Sequence, residues 1–284
     1  MESFSFTGPR NMNEDSIYPD ALRDHDHSIN HSLFLVCDGV GGQAKGEIAS
    51  DFICTQLPLY YKSKKIQNSN KTIAKQAIQF LESKFDSYIS SSPESYGMGS
   101  TLAFLHAHSK GVTLAYVGDT RIYHLRDGKI IFNTEDHSYV YAKYKTGLLT
   151  REQMEYQTDR NVILQALQGS VIQKVKPTIF TITNLQIDDV FFLCTDGTWE
   201  SFSVEEFENV IRRNWSSLTE MKNEIIEKCN VRSYDNFSGI FIKLNEDYIN
   251  NLKINEEENE KINKDNKESY QELLSLYHSA LGQK

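Results

Sequence analysis

The 284-residue sequence has only four cysteines, Cys37, Cys54, Cys194 and Cys229, each alone in apolar or helical surroundings. Without a CxxC pair or regular spacing, neither a disulfide framework nor a thiolate zinc site is indicated, and a reducing, cytoplasmic setting is expected. No apolar run approaches the roughly 18 residues that a membrane span needs. The opening Met-Glu-Ser-Phe-Ser-Phe lacks the basic and then apolar order of a signal peptide. Basic charge is scarce as well: 30 Lys and Arg stand against 39 Asp and Glu, a net of −9, which argues against a nucleic-acid backbone binder. The carboxylates therefore either solvate a surface or hold cations. With 39 % apolar residues, a chain of this length suits one domain with a sizeable core.

Periodicity supplies the elements. Residues 32–37 form a short apolar, β-rich run that stops at Asp38-Gly39-Val40-Gly41-Gly42. Two helical patterns follow, one carrying Ile48, Phe52, Ile53 and Leu57, the other Ile73, Ala77, Leu81, Phe85 and Tyr88. Strands then fit residues 101–105, 112–117 and 122–125, the last meeting an Asp127-Gly128 hairpin turn. Further strands fit 178–183, 190–194 and 239–244. Between the last two, Ser203 with Glu206 and Ser217 with Glu220 read as capping signals for helices. Strands in runs and helices in adjacent pairs predict an α+β fold, two antiparallel sheets packed face to face with helices outside. After Leu244 the composition turns to Asn, Glu and Lys, which predicts a domain over 1–244 and a polar flexible linker over 245–267. Within 268–284, Tyr270, Leu273, Leu274, Tyr277 and Leu281 share one helical face, for docking on the domain itself or on a partner.

Two segments resemble each other: Phe34 to Gly39 and Phe191 to Gly197, each an apolar strand ending in Asp-Gly. A carboxylate at such a place is costly to desolvate unless a cation compensates it, and the glycine permits close approach. Asp119 and Asp235 sit in similar punctuation beside strands, and Asp15 lies in Arg10-Asn-Met-Asn-Glu14-Asp15. Oxygen ligands without convergent histidines or thiolates suit magnesium or manganese.

These segments, with Gly99-Ser-Thr101, Gly118-Asp-Thr-Arg121, Asp136-His-Ser138 and Asp235-Asn236, occur in an order that resembles the metal-dependent type 2C serine/threonine protein phosphatases, in their compact bacterial form. The resemblance spans residues 7–244 and implies a four-layer α-β-β-α sandwich with a two-metal centre, Mn2+ or Mg2+, at one end of the sheets. It implies that Asp38 bridges the metals and the Gly39 carbonyl joins one of them. Asp196 and Asp235 would hold the other, and Asp15 would bind directly or through water. Asp119 with Asp196 would offer a weaker third place, and Glu14 would stand one layer behind the ligands. Arg10 would clamp the substrate phosphate, and Asn236 would orient Asp235 or a water. The implied reaction is hydrolysis of phosphoserine and phosphothreonine in proteins, opposing kinases, by attack of a metal-bridging hydroxide. The alternative is a non-catalytic adaptor that binds phosphoproteins with the same fold.

The sequence departs from the family at Val40, where many members carry a histidine proposed as general acid. His137 belongs to a motif that is chiefly structural in the family. Residues 138–168 match its flap, which makes Lys145, Arg151 and Arg160 candidates for contacting substrate. Asp24-His25-Asp26-His27 with His31 looks like a ligand set but reads as a solvated connection with adventitious affinity at most.

Overall fold

The computed structural model describes residues 1–20, 32–40, 45–154, 156–169 and 174–253. In chain order these give β1 (Glu2–Phe6), β2 (Asp15–Tyr18), β3 (Leu33–Val40), α1 (Gly46–Ser63), α2 (Lys71–Ser91), β4 (Gly99–Ser100), β5 (Leu102–His108) and β6 (Gly111–Val117). Then come β7 (Arg121–Arg126), β8 (Lys129–Asn133), α3 (Tyr139–Lys145), α4 (Arg151–Met154), β9 (Leu167–Gln168), β10 (Thr178–Ile182) and β11 (Val190–Cys194). The described chain closes with α5 (Asp196–Trp199), α6 (Val204–Arg213), α7 (Leu218–Arg232), β12 (Phe237–Lys243) and α8 (Glu246–Lys253). One sheet runs β1-β12-β11-β7-β8; the other runs β10-β6-β5-β3-β4-β9, with β2 beside β3, and the pairings are antiparallel.

Side-chain alternation along the two central strands explains both their apolar continuity and the four layers. In β3, Leu33, Leu35 and Cys37 pack beneath α1 and α2, whereas Phe34 and Val36 face the other sheet. In β11, Val190, Phe192 and Cys194 pack beneath α6 and α7, whereas Phe191 and Leu193 turn to the inter-sheet core. A strand buried on both faces has no polar position to alternate with. The expected α+β sandwich is the observed architecture.

Local signals act as their chemistry requires. Asp127 and Gly128 both adopt positive φ, 51° and 72°, as a tight hairpin between β7 and β8 demands. Ser203 and Glu206 form a reciprocal capping box on α6, and Ser217 accepts from the Glu220 N–H at the start of α7. Thr150 and Gln153 cap α4 in the same reciprocal way, at 3.3 and 2.8 Å. The four cysteines are separate buried thiols.

Two elements differ from expectation. Glu2–Phe6 is a strand pairing with β12, its Phe4 buried and its Phe6 stacked on Phe237 at 5.2 Å. The domain also does not end at 244. Glu246–Lys253 is helical; Ile249 and Leu252 enter the inter-sheet core, and Tyr248 donates its hydroxyl toward the carbonyls of His108 (3.1 Å) and Gly111 (2.7 Å). An apolar set at i, i+1 and i+4 within an Asn-rich stretch is enough to fasten a helix. The remainder of the expected linker, the 268–284 helix, the Asp24–His31 cluster and Gly41-Gly42 lie outside the described residues. No helix among the described residues is long and apolar enough to cross a membrane.

Beneath α8, β5 carries two buried imidazoles. His106 meets the Ser69 hydroxyl at 2.8 Å and His108 meets Thr113 at 2.8 Å. Burial pulls their pKa values down to about 4 and about 3. Both stay neutral in the fold while the unfolded chain takes up protons below its ordinary value near 6.5, so stability falls as pH drops from about 6.5 toward 4. His106 alone accounts for about 3 kcal/mol over that window. Urea midpoints of the wild type should fall between pH 7 and pH 4.5 more steeply than those of His106→Asn; parallel slopes would refute this.

Candidate metal centre

Alternation fixes the first pair of acids. Asp15 shares the inter-sheet face of β2 with Ile17, and Asp38 shares that of β3 with Phe34 and Val36. Register sets Asp15 directly opposite Asp38, a placement that destabilises like charges. From the other sheet, β11 delivers Thr195, whose hydroxyl donates to Asp15 Oδ2 at 2.9 Å and accepts from the Ser238 N–H at 3.0 Å. Asp196 follows as the first residue of α5 and lies within hydrogen-bonding reach of Asp38. Asp119 sits in the crossover between the sheets, after β6 and before β7. Asp235 precedes β12.

Burial and crowding raise these carboxylates together. Desolvation, then the repulsion of Asp196 and Asp235, pushes Asp15 up to about 8. Asp38 and Asp119 rise through desolvation first and Asp196 second; Asp196 rises through desolvation and Asp235. Glu200, in the same turn region, is pushed up to about 6 by burial and Asp196. Such a group of acids must carry protons or be compensated by cations.

Both Asp-Gly glycines are explained by backbone crossing. A Cβ on Gly39 would run into the carbonyl of Gly46 and that of Glu14; one on Gly197 would run into the carbonyl of Asn236 and the Ser233 hydroxyl. Gly39 thus lets β3 end against the start of α1, and Gly197 lets α5 lie on the entry to β12.

The loop bearing Arg10 and Glu14 is held by one side chain. Asn236 accepts from the Glu14 N–H (2.8 Å) and donates to the carbonyls of Thr7 (2.7 Å) and Met12 (2.8 Å), while its own N–H meets Asp235 Oδ1 (2.8 Å). The Glu14 carbonyl receives the Gly39 N–H (3.0 Å) and the Ser50 hydroxyl (2.6 Å). Arg10 donates from Nη2 to Asp235 Oδ2 (2.5 Å) and from Nε to the Tyr234 carbonyl (3.2 Å), its guanidinium half-exposed. On the opposite side the Asp38 N–H donates to Thr101 (2.9 Å) and its carbonyl accepts from Ser100 (2.9 Å) and the Thr101 N–H (2.8 Å).

The other expected residues fall into place less centrally. His137 is committed structurally: Nδ1 lies 3.3 Å from the Gly118 N–H, Nε2 3.1 Å from the Thr178 hydroxyl, and its ring stacks on Tyr116 at 4.9 Å. In the flap, Lys145 pairs with Glu135 at 3.1 Å and Arg160 with Glu200 at 3.4 Å. Thr101 and Thr195 belong to the ordered motifs, but their hydrogen bonds to Asp38 and Asp15, like the part of Ser238, join partners far apart in sequence that no local pattern links.

As a donor set the site is all oxygen, acidic and without His or Cys, which fits hard divalent cations. Among the described residues no three His, Cys, Asp or Glu side chains close around one point as a finished metal site; Asp235 pairs with Arg10.

Residues 7–229 match the family model described as protein phosphatase 2C. The serine/threonine phosphatase stp of Listeria welshimeri is 29 % identical over 222 residues, 76 % of this chain and 86 % of that protein. The crystal structure of the Mycobacterium tuberculosis serine/threonine phosphatase PstP superposes with a TM-score of 0.73 at 26 % identity, covering 86 % of this chain and 97 % of that one. The catalytic domain of a PstP solved in complex with two manganese ions has the same fold, with a TM-score of 0.69 at 24 % identity over 86 % of this chain and 97 % of that one. The sandwich with acids gathered at one end is thus the fold of bacterial serine/threonine phosphatases. The chain belongs to the protein phosphatase 2C family and is an enzyme of the protein-serine/threonine phosphatase type.

Replacing Asn236 by Ala releases three hydrogen bonds in a buried position, and unfolding free energy should fall by about 3 kcal/mol. Chemical denaturation measures this, and a loss below about 1 kcal/mol would show that the loop is held elsewhere.

Proposed function

We propose that this protein hydrolyses phosphoserine and phosphothreonine in other proteins, opposing one or more kinases, with two manganese or magnesium ions in its acidic centre. The observation that carries this reading is the gathering of Asp15, Asp38, Asp119 and Asp196 at the end of both sheets, where burial first and neighbouring acids second raise their pKa values. Asp38, with the Gly39 carbonyl, would be shared between the ions; Asp196 and Asp235 would hold one of them, and Asp15 would bind directly or through water. Asp119 with Asp196 would serve a weaker third. When bound, such ions lower the pKa of a water and stabilise charge during in-line displacement at phosphorus.

The protein's own groups supply the rest. Arg10 is a half-exposed guanidinium at the lip, suited to grip phosphate oxygens in a fork. Asn236 and Glu14 keep the Arg10 loop against β12 and α1. Val40 has no proton to give and His137 is engaged by Thr178 and Gly118, so water or another group would supply the proton to the leaving serine or threonine oxygen.

Purified protein should release phosphate from a phosphothreonine peptide in manganese and stop on chelation. Asp196→Ala should lose at least about 1,000-fold in kcat together with manganese binding. Arg10→Ala should instead raise KM by about tenfold or more. Normal turnover by Asp196→Ala would overturn the assignment of the centre.

A further inference from the structure

The Asp136-His137-Ser138 motif and Arg121 take no part in the chemistry above, yet they reach the acidic centre through one aromatic ring. α5, which carries Asp196, is a single turn and cannot hold its place by helical propensity. One side of it is tied to β12, where the Thr198 hydroxyl donates to the Ser238 carbonyl at 3.1 Å. On the other side Trp199 Nε1 donates to the backbone carbonyl of Asp119 at 3.1 Å.

That indole is itself gripped. The Arg121 guanidinium lies 3.3 Å from the centre of the Trp199 ring and donates in a fork to Asp136, Nε to Oδ1 at 2.8 Å and Nη2 to Oδ2 at 2.7 Å. A fork of this kind fixes the plane of the guanidinium, and a cation over an indole face is the strongest aromatic pairing of its type. The neighbouring residues anchor the same turn: Gly118, at φ 94°, accepts from the His137 N–H at 2.8 Å. Asp119 is therefore held at its own carbonyl by Trp199 and through the preceding Gly118 by His137, neither of which takes up its carboxylate.

We propose that Trp199 is a positioning residue that sets Asp119 against Asp196, with Arg121 and Asp136 as the brace of its ring. The proposal rests on reading Asp119 and Asp196 as cation-binding carboxylates. Asp119 lies on the crossover between the sheets and Asp196 on α5, and the Trp199 N–H joins the two directly. Losing that bond should loosen one cation place and leave the others.

The test uses the full chain and manganese alone, titrated with free Mn2+ followed by electron paramagnetic resonance, beside thermal melts. Trp199→Phe keeps a ring under Arg121 and removes the N–H. Its weakest manganese step should weaken about fivefold, the tighter steps should hold, and the melting temperature should stay within about 3 °C of the wild type. Arg121→Lys, which keeps the charge and breaks the fork on Asp136, should move the same step in the same direction. A Trp199→Phe titration that superposes on the wild type, while Asp119→Asn loses the weak step, would overturn the inference alone. An Asp119→Asn titration identical to the wild type would overturn the cation reading of Asp119 and the inference with it.

Discussion

Asp15 and Asp38 face each other across two paired strands, on the side of the sheet that turns toward a second sheet, and the rest of the molecule is arranged around keeping them there. Like charges opposite each other in a ladder work against folding, and desolvation by the sandwich makes their repulsion stronger. The inter-sheet core excludes water from the strands that carry them; Val36 and Leu193 beside them are fully buried. At that end of the sandwich hydroxyls replace apolar groups. Thr195 bonds Asp15, Thr101 accepts from the Asp38 N–H, and Ser100 donates to the Asp38 carbonyl, so the backbone and side chains of the acids are held without any cationic side chain entering between them.

A centre built this way needs the backbone to come close, and the two Asp-Gly steps do that in both sheets. Gly39 and Gly197 each lie against a carbonyl from another element, the first from the start of α1 and the second from Asn236. The structural similarity of the two segments therefore has a cause that is separate from cation binding: at each Asp-Gly step the backbone lies against a carbonyl of another part of the chain, where a Cβ would not fit. Asn236 completes the frame, since it closes the long N-terminal loop onto β12 with three side-chain hydrogen bonds.

Elements with one dominant signal were legible from residues alone. Central strands showed as apolar runs, α1 and α2 as apolar faces, and the β7–β8 turn as Asp-Gly, because in each the local preference agrees with the tertiary demand. β1 was not legible because its Ser-Phe alternation, though strand-like, runs over only residues 3–6, too short a signal until pairing with β12 completes it. α8 was hidden because its acidic, Asn-rich sequence resembles a linker; only Tyr248, Ile249 and Leu252 reveal its buried side. The acids themselves stood out through ordered motifs, whereas their supports did not. Thr195 and Asp15 are 180 positions apart, and Trp199 and Asp119 are 80 apart, separations at which no local pattern links a donor to its acceptor.

Position 40 shows how a departure from the family pattern can be read from packing. Val40 ends β3, pairs with Gly99, and lines a depression of about 350 Å3 with Ile163, Leu164, Gln165, Ala166 and Gln168. Three of those five neighbours are apolar, and they come from the end of the flap, just before β9. Valine here places an apolar side chain in the same depression as residues 163–166, next to the first Asp-Gly step. An imidazole in its place would have to desolvate a polar ring against Ile163 and Ala166, or turn from them into the cleft. Position 40 of this chain thus carries a side chain with no proton to give and with methyl groups beside Ile163 and Ala166.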